Sequence, residues 1–148
     1  MRKKLSPKQV GELAEARFLA KATALGFKVA KPFGDSGAYN LIVEGGGRLV
    51  RVEVKSASAA RETGNGYTVS TYYQPLKRGY SLAEADFLAV HVPPVDAWYI
   101  IPVERLHNVK SMRVYPDRAT TRSRWEVFRE AWELMEMEKT GQELTAEC

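Results

Sequence analysis

Cysteine is nearly absent from this 148-residue chain, which carries one, Cys148, at its very end. That excludes an internal disulfide framework and a cysteine-built zinc site, and it leaves redox chemistry without a thiol pair. Histidine is almost as scarce. His91 and His107 have no second His or carboxylate at ligand spacing, so both read as structural or surface groups. No apolar run is long enough to cross a bilayer, and Met1-Arg2-Lys3-Lys4-Leu5 leads into a capped helix instead of a signal-peptide apolar segment. A cytoplasmic protein without a membrane partner is expected. The chain has no Gly-x-Ser-x-Gly elbow for serine chemistry. Its one glycine run, Gly45-Gly46-Gly47, lacks the Gly-Lys-Ser/Thr ending and the following helix of a phosphate loop. Internal repeats and Pro/Gly/Ser-rich linkers are missing too. One domain over residues 1–139 is expected, with an acidic tail, 140–148, that frays.

Charge is present and unevenly placed. Residues 130–148 hold six acids and one Lys, which leaves 21 basic and 12 acidic residues before them, or +9 in the body against −5 at the end. A basic body suits a polyanionic partner, nucleic acid first.

Along the chain, Ser6-Pro7-Lys8-Gln9 reads as a helix start, with Ser6 as N-cap and Gln9 closing a capping box, and Gly26 reads as its stop. Val10, Ala14, Phe18, Ala22 and Leu25 recur at helical spacing as the buried stripe. Glu15 falls on the edge of that stripe and Glu12 further towards solvent. Short strands are predicted over 27–30, 39–44 and 48–56, the last two forming a hairpin around the glycine run. A two-residue loop at Gly45-Gly46 would set Leu41 opposite Val50, whereas a four-residue loop would set Asn40 across from Glu53. Residues 57–66, small and polar, suit a loop. Further strands are predicted over 67–73, 87–92 and 98–101, the last two as a hairpin around Pro93-Pro94, and a helical turn over 81–85. About five strands would make one sheet. Ser123-Arg124-Trp125-Glu126 reads as a second capping box, opening a C-terminal helix that carries Trp125, Phe128, Trp132 and Met135 as core.

The segment Arg51-Val52-Glu53-Val54-Lys55-Ser56-Ala57 holds the chemistry. Side chains alternate along a strand, so Val50, Val52 and Val54 face one way while Arg51, Glu53 and Lys55 face the other. On a solvated face such a Glu and Lys are ordinary. Other groups must converge on them to make a site.

The ordered series Gly11-Glu12-Leu13-Ala14-Glu15, Gly26-Phe27-Lys28-Val29, Pro32-Phe33-Gly34-Asp35, Tyr39-Asn40-Leu41-Ile42-Val43 and Arg51-Val52-Glu53-Val54-Lys55 resembles the PD-(D/E)XK nuclease superfamily over about residues 8–106. The likeness is nearest to its small homing-endonuclease-like and archaeal resolvase-like branches. It implies an α/β restriction-endonuclease-like fold, a mixed central sheet flanked by helices, with the C-terminal helix as an addition. It also implies Mg²⁺-dependent hydrolysis of DNA phosphodiesters, with Mn²⁺ as a substitute ion. Glu53, Asn40 and Glu15 would be the metal ligands, and Lys55 would complete the catalytic set. Mg²⁺ wants oxygen ligands in an octahedron and keeps several waters, so few carboxylates suffice. A compact ammonium at Lys55 suits an attacking hydroxide and a charged transition state.

The sequence departs from that pattern at Asn40, where the motif has Asp. An amide offers a carbonyl oxygen without charge. Asn40 as a neutral ligand, replacement by Glu44 or Asp35, and a DNA-binding shell without catalysis all remain open. Beside such a fold, Lys110, Arg113, Arg118, Arg122 and Arg124 suit a phosphate track, with Lys77, Arg78 and Arg61 as further contacts and Tyr73 and Gln74 near the strand end. Cleaving both strands takes two sites, which a homodimer would supply.

Overall fold

A computed structural model describes residues 3–34, 37–59, 66–117 and 123–137. Asp35, Arg61, Arg118, Arg122 and the 140–148 tail lie outside the described residues. Helix α1 (Pro7–Ala24) starts where its capping chemistry places it: Ser6 Oγ accepts from Gln9 N, and Gln9 Oε1 accepts from Ser6 N at 2.9 Å. Ala14, Phe18 and Ala22 form its buried stripe. Val10 and Leu25, expected to extend that stripe, are exposed, Leu25 as the C-cap beyond the last helical turn.

After α1 the chain runs through β1 (Lys28–Ala30), β2 (Leu41–Gly45), β3 (Arg48–Ser56), β4 (Ser58–Ala59), β5 (Tyr67–Ser70), β6 (Tyr72–Tyr73) and β7 (Arg78–Gly79). Then come β8 (Phe87–Val92), β9 (Ala97–Pro102) and β10 (Ser111–Val114). The main sheet has five strands in the order β1-β2-β3-β8-β9, parallel only between β3 and β8, and so is mixed. The number of strands agrees with the sequence expectation, but the membership does not. Residues 67–73 break at Thr71, which is fully buried and donates from Oγ1 to Val109 O at 2.6 Å and from N to Lys110 O at 3.0 Å. The pieces go to two small sheets, β10-β5-β4 and β6-β7.

The β2–β3 hairpin turns at Gly46-Gly47, both at positive φ (59° and 78°), the backbone that a two-residue hairpin loop demands. Its register pairs Leu41 with Val52 and Gly45 with Arg48. The loop is two residues long, as in the first option above, but sits one residue later and yields the register of the second. Val43, Val50 and Val52 thereby share one fully or almost fully buried face.

Both faces of the main sheet are covered. On one side α1 packs over Val43, Val52, Val54, Ala89 and Ile100, with Phe18, Trp98 and Trp132 in ring contact at 5.5–5.8 Å. On the other, Leu88, Val90, Tyr99 and Ile101 meet Val69, Met112 and Val114 of the small sheet. Being covered twice, β8 is buried at every position, which accounts for its continuous apolar run.

The expected C-terminal helix does not form. Residues Glu126–Phe128 and Trp132–Met135 are separate 3₁₀ turns, joined through extended Arg129 and Glu130 at φ 51°. A helix would align its apolar residues on one face, yet Trp125 packs in one core and Trp132 and Met135 in the other. The segment passes around the edge of β9, bridging Tyr99 to Arg129. Glu130 accepts from Trp98 N at 2.7 Å and from Trp132 Nε1 at 2.8 Å, while Glu126 accepts from the Tyr99 hydroxyl at 2.9 Å. These bonds to the sheet replace helical ones. Among the described residues, α1 is therefore the one α-helix beside the sheet.

Candidate active site

Period-two alternation along β3 directs Arg51, Glu53 and Lys55 away from the α1 side. Arg51 is a clamp. Its backbone and side chain both bind Asp86, at 2.7 and 3.2 Å, and its guanidinium donates to Leu82 O, which ties the turn before β8 to β3.

Glu53 is different. The Tyr80 hydroxyl donates to its Oε2 at 2.8 Å, while Oε1 is buried with no hydrogen-bond partner among the described residues. A carboxylate oxygen removed from water without a partner is costly. Burial is the main cause that pushes the Glu53 carboxyl above its ordinary range, and the Tyr80 bond and the Lys55 charge oppose it. Glu15 adds to the upward push, so the helix acid lies within electrostatic reach of Glu53. Glu15 also meets Lys31 at 3.4 Å and borders a cleft of about 350 Å³ between α1 and β1.

Asn40 stands at the start of β2 and brackets Glu53 with two bonds: its N–H donates to Val52 O at 3.0 Å, and its Oδ1 accepts from Val54 N at 2.7 Å. The side chain thus continues the ladder where the backbone leaves it. Oδ1 retains a second lone pair. Lys55 Nζ lies 5.3 Å from the centroid of the Tyr80 ring. Tyr80 therefore touches both motif residues of β3, one through its hydroxyl and one through its ring. Its backbone N–H donates to Thr71 O at 3.0 Å, its ring packs on Tyr73 at 5.2 Å, and burial followed by the Glu53 charge raises its hydroxyl pKa so that it stays a donor.

Sequence reasoning did not identify Tyr80. Two-residue β7 gives no periodic pattern to read, and the contact with Glu53 spans 27 residues. Glu44, weighed as a substitute for the missing Asp, shares Asn40's strand face but stands opposite Leu49 near the hairpin turn, about 13 Å along the strand from Asn40. Asp35, the other substitute, is outside the described residues. No group of three or more His, Cys, Asp or Glu residues suited to a metal occurs among the described residues. A divalent cation here would rest on Glu53, the Asn40 amide and water, with Glu15 of α1 as a further acid within electrostatic reach. That donor set is hard, oxygen-only and sparse, which fits Mg²⁺, and the orphaned Glu53 Oε1 fits a missing cationic partner.

The basic candidates scatter. Arg78 is committed to Glu84, with bonds of 2.7 and 2.8 Å to both carboxylate oxygens. Ser81 adds two more bonds, and together they hold the Glu84 carboxyl down at about 2. Lys77 is exposed at φ 53°. Arg113 is half-buried on β10, a strand not expected from the sequence, and Arg124 is exposed, stacked over Trp125 at 4.4 Å. Lys110 lies 5.8 Å from the Tyr72 ring. His91 is buried against Trp98 at 4.4 Å and bonded to Asp96 at 2.8 Å, and His107 is exposed.

Among solved structures, the chain is similar to the bacterial homing endonuclease I-Ssp6803I, with 27% identity, a TM-score of 0.79, and coverage of 96% of this chain and 97% of that one. Weaker likenesses are to Hjc of Archaeoglobus fulgidus, a Holliday junction resolvase (15% identity, TM-score 0.48, 72% and 84% covered), and to MepB (16%, 0.41, 82% and 94%). None of the curated proteins matches the chain. Among the described residues, no helix is long and apolar enough to cross a membrane. A model of the PD-(D/E)XK endonuclease family matches residues 5–135, a span that contains α1, the β2–β3 hairpin and Tyr80 alike, and the chain belongs to that family.

Proposed function

We propose that the protein is a metal-dependent endonuclease that hydrolyses DNA phosphodiester bonds, with Mg²⁺ as its ion and Mn²⁺ as a substitute. The observation that carries this reading is Glu53 Oε1, buried with no hydrogen-bond partner among the described residues, on the strand whose next residue, Val54, donates to the Asn40 amide oxygen. Glu53 would hold the cation, with Asn40 Oδ1 as a neutral ligand and Glu15 as an outer or second-site acid. When bound, the cation supplies Lewis-acid polarisation and lowers the pKa of water. Lys55 would orient the attacking oxygen and stabilise the charge that develops on the phosphate. The basic body, with Lys77, Arg113, Arg118, Arg122 and Arg124 as its contributors, would hold the strand by its phosphates, and two copies would cut two strands.

A second reading, a DNA-binding domain without catalysis, is favoured by one observation: Asn40 Oδ1 is already engaged by Val54 N. Nicking of supercoiled plasmid separates the two. Wild-type nicking with Mg²⁺ or Mn²⁺ that disappears in Glu53→Ala supports the enzyme. Silence from wild type with nicking gained by Asn40→Asp supports the non-catalytic reading.

A further inference from the structure

We propose that Tyr80 is a positioning residue that presents Glu53 as a one-oxygen ligand and so selects a small octahedral cation over Ca²⁺. The inference rests on the metal-dependent reading of Glu53 given above. A carboxylate oxygen that accepts a hydrogen bond keeps a lone pair, but the donor draws charge from it and pins the carboxylate plane, which weakens a two-oxygen grip on a cation. Here Oε2 receives the Tyr80 hydroxyl at 2.8 Å, and Oε1 has no partner among the described residues. The donor is not free to swing aside. Tyr80 is 6% exposed, its N–H is bonded to Thr71 O at 3.0 Å, and its ring rests on Tyr73 at 5.2 Å. Just before it, Gly79 runs so close to the chain after β9 that a Cβ there would meet Val109 O at 2.7 Å. The same ring carries the Lys55 ammonium 5.3 Å from its centroid, so one side chain sets the bearing of both motif residues.

Ca²⁺ takes more oxygens than Mg²⁺, at longer distances, and readily accepts bidentate carboxylates. Mg²⁺ demands an octahedron of single oxygens and water. A donor fixed on Oε2 penalises the first and suits the second.

The test is calorimetric titration of the full chain with Mg²⁺, Mn²⁺ and Ca²⁺, for wild type, Tyr80→Phe and Glu53→Gln. Infrared difference spectra of the carboxylate stretches accompany it. Tyr80→Phe keeps the ring and removes only the donor. The expected result is a shift of the Ca²⁺-to-Mg²⁺ affinity ratio towards Ca²⁺ by about tenfold or more, the scale of a lost bond to a ligand, with a bidentate signature appearing in the variant's Ca²⁺ complex. A ratio within about twofold of wild type overturns the proposal. So does a bidentate Glu53 signature in wild type with Mg²⁺, a result independent of whether the variant folds. Metal binding that is absent in wild type, or unchanged in Glu53→Gln, overturns the metal reading itself and this inference with it.

Discussion

Under the proposed function Lys55 and Glu53, two residues apart, would have separate jobs, and their variants should fail differently. Replacing Lys55 with Met should lower kcat for plasmid nicking by about 10²–10³-fold, the loss expected when a group that stabilises transition-state charge is removed, with the Mn²⁺ affinity little changed by calorimetry. Asn40→Asp should raise Mn²⁺ affinity, because the acid adds charge where the amide adds only a dipole. A third residue, Glu84, reports on stability alone. Its native pKa of about 2 lies below the ordinary 4.5, so its contribution is full above about pH 4.5 and is lost as the pH falls towards 2. The urea midpoint of wild type should therefore fall more steeply over that interval than the midpoint of Glu84→Gln, whose side chain does not titrate. Part of the candidate site's geometry was legible in the sequence. Alternation along residues 50–55 gives the shared face of Glu53 and Lys55, and helical phase gives Glu15. What alternation cannot give is which oxygen of Glu53 is taken, since Tyr80 decides that from just beyond a strand of two residues, too short to announce itself.

At the scale of elements, local chemistry was readable where it governs and misleading where tertiary bonds outbid it. The α1 start is set by its own capping box, and Ser6→Ala should cost about 1 kcal/mol in urea unfolding. Ser123-Arg124-Trp125-Glu126 carries the same pattern, but Glu126 and Glu130 are drawn to β9 and the helix is lost. The hairpin register was left open between two loop lengths because three consecutive glycines impose no unique turn position. Both options keep Val43, Val50 and Val52 on one face, since they differ by two residues, so face parity could not choose between them; the structure pairs Leu41 with Val52. Gly79 is the element-scale counterpart of Tyr80. An added methyl meets backbone oxygens of Val109 and Leu106 at 2.7 and 3.1 Å, neither of which is a flexible side-chain tip. Gly79→Ala should destabilise the fold by about 1–3 kcal/mol in denaturant titration and weaken Mn²⁺ binding through displaced Tyr80.

For the whole molecule, the main sheet divides the labour: one face is closed by α1 and its aromatic cluster, while the opposite face presents the Glu53 side chain beneath the small sheets. The mixed five-stranded architecture was visible from the ordered motifs, whereas the assignment of residues 67–73 and 111–114 to satellite sheets was not, because their partners are remote in sequence. The excess of positive charge before residue 130 predicts DNA binding whose affinity falls linearly with the logarithm of salt concentration. A fluorescence-anisotropy titration over a salt series checks that slope. The central claim, that Glu53 turns a bare oxygen towards a divalent cation, is tested most directly by anomalous diffraction from crystals soaked in Mn²⁺. The account predicts an anomalous peak within coordination distance of Glu53 Oε1 and on the Asn40 side of it. A peak only on surface acids remote from Glu53, or no peak at saturating Mn²⁺, would contradict it.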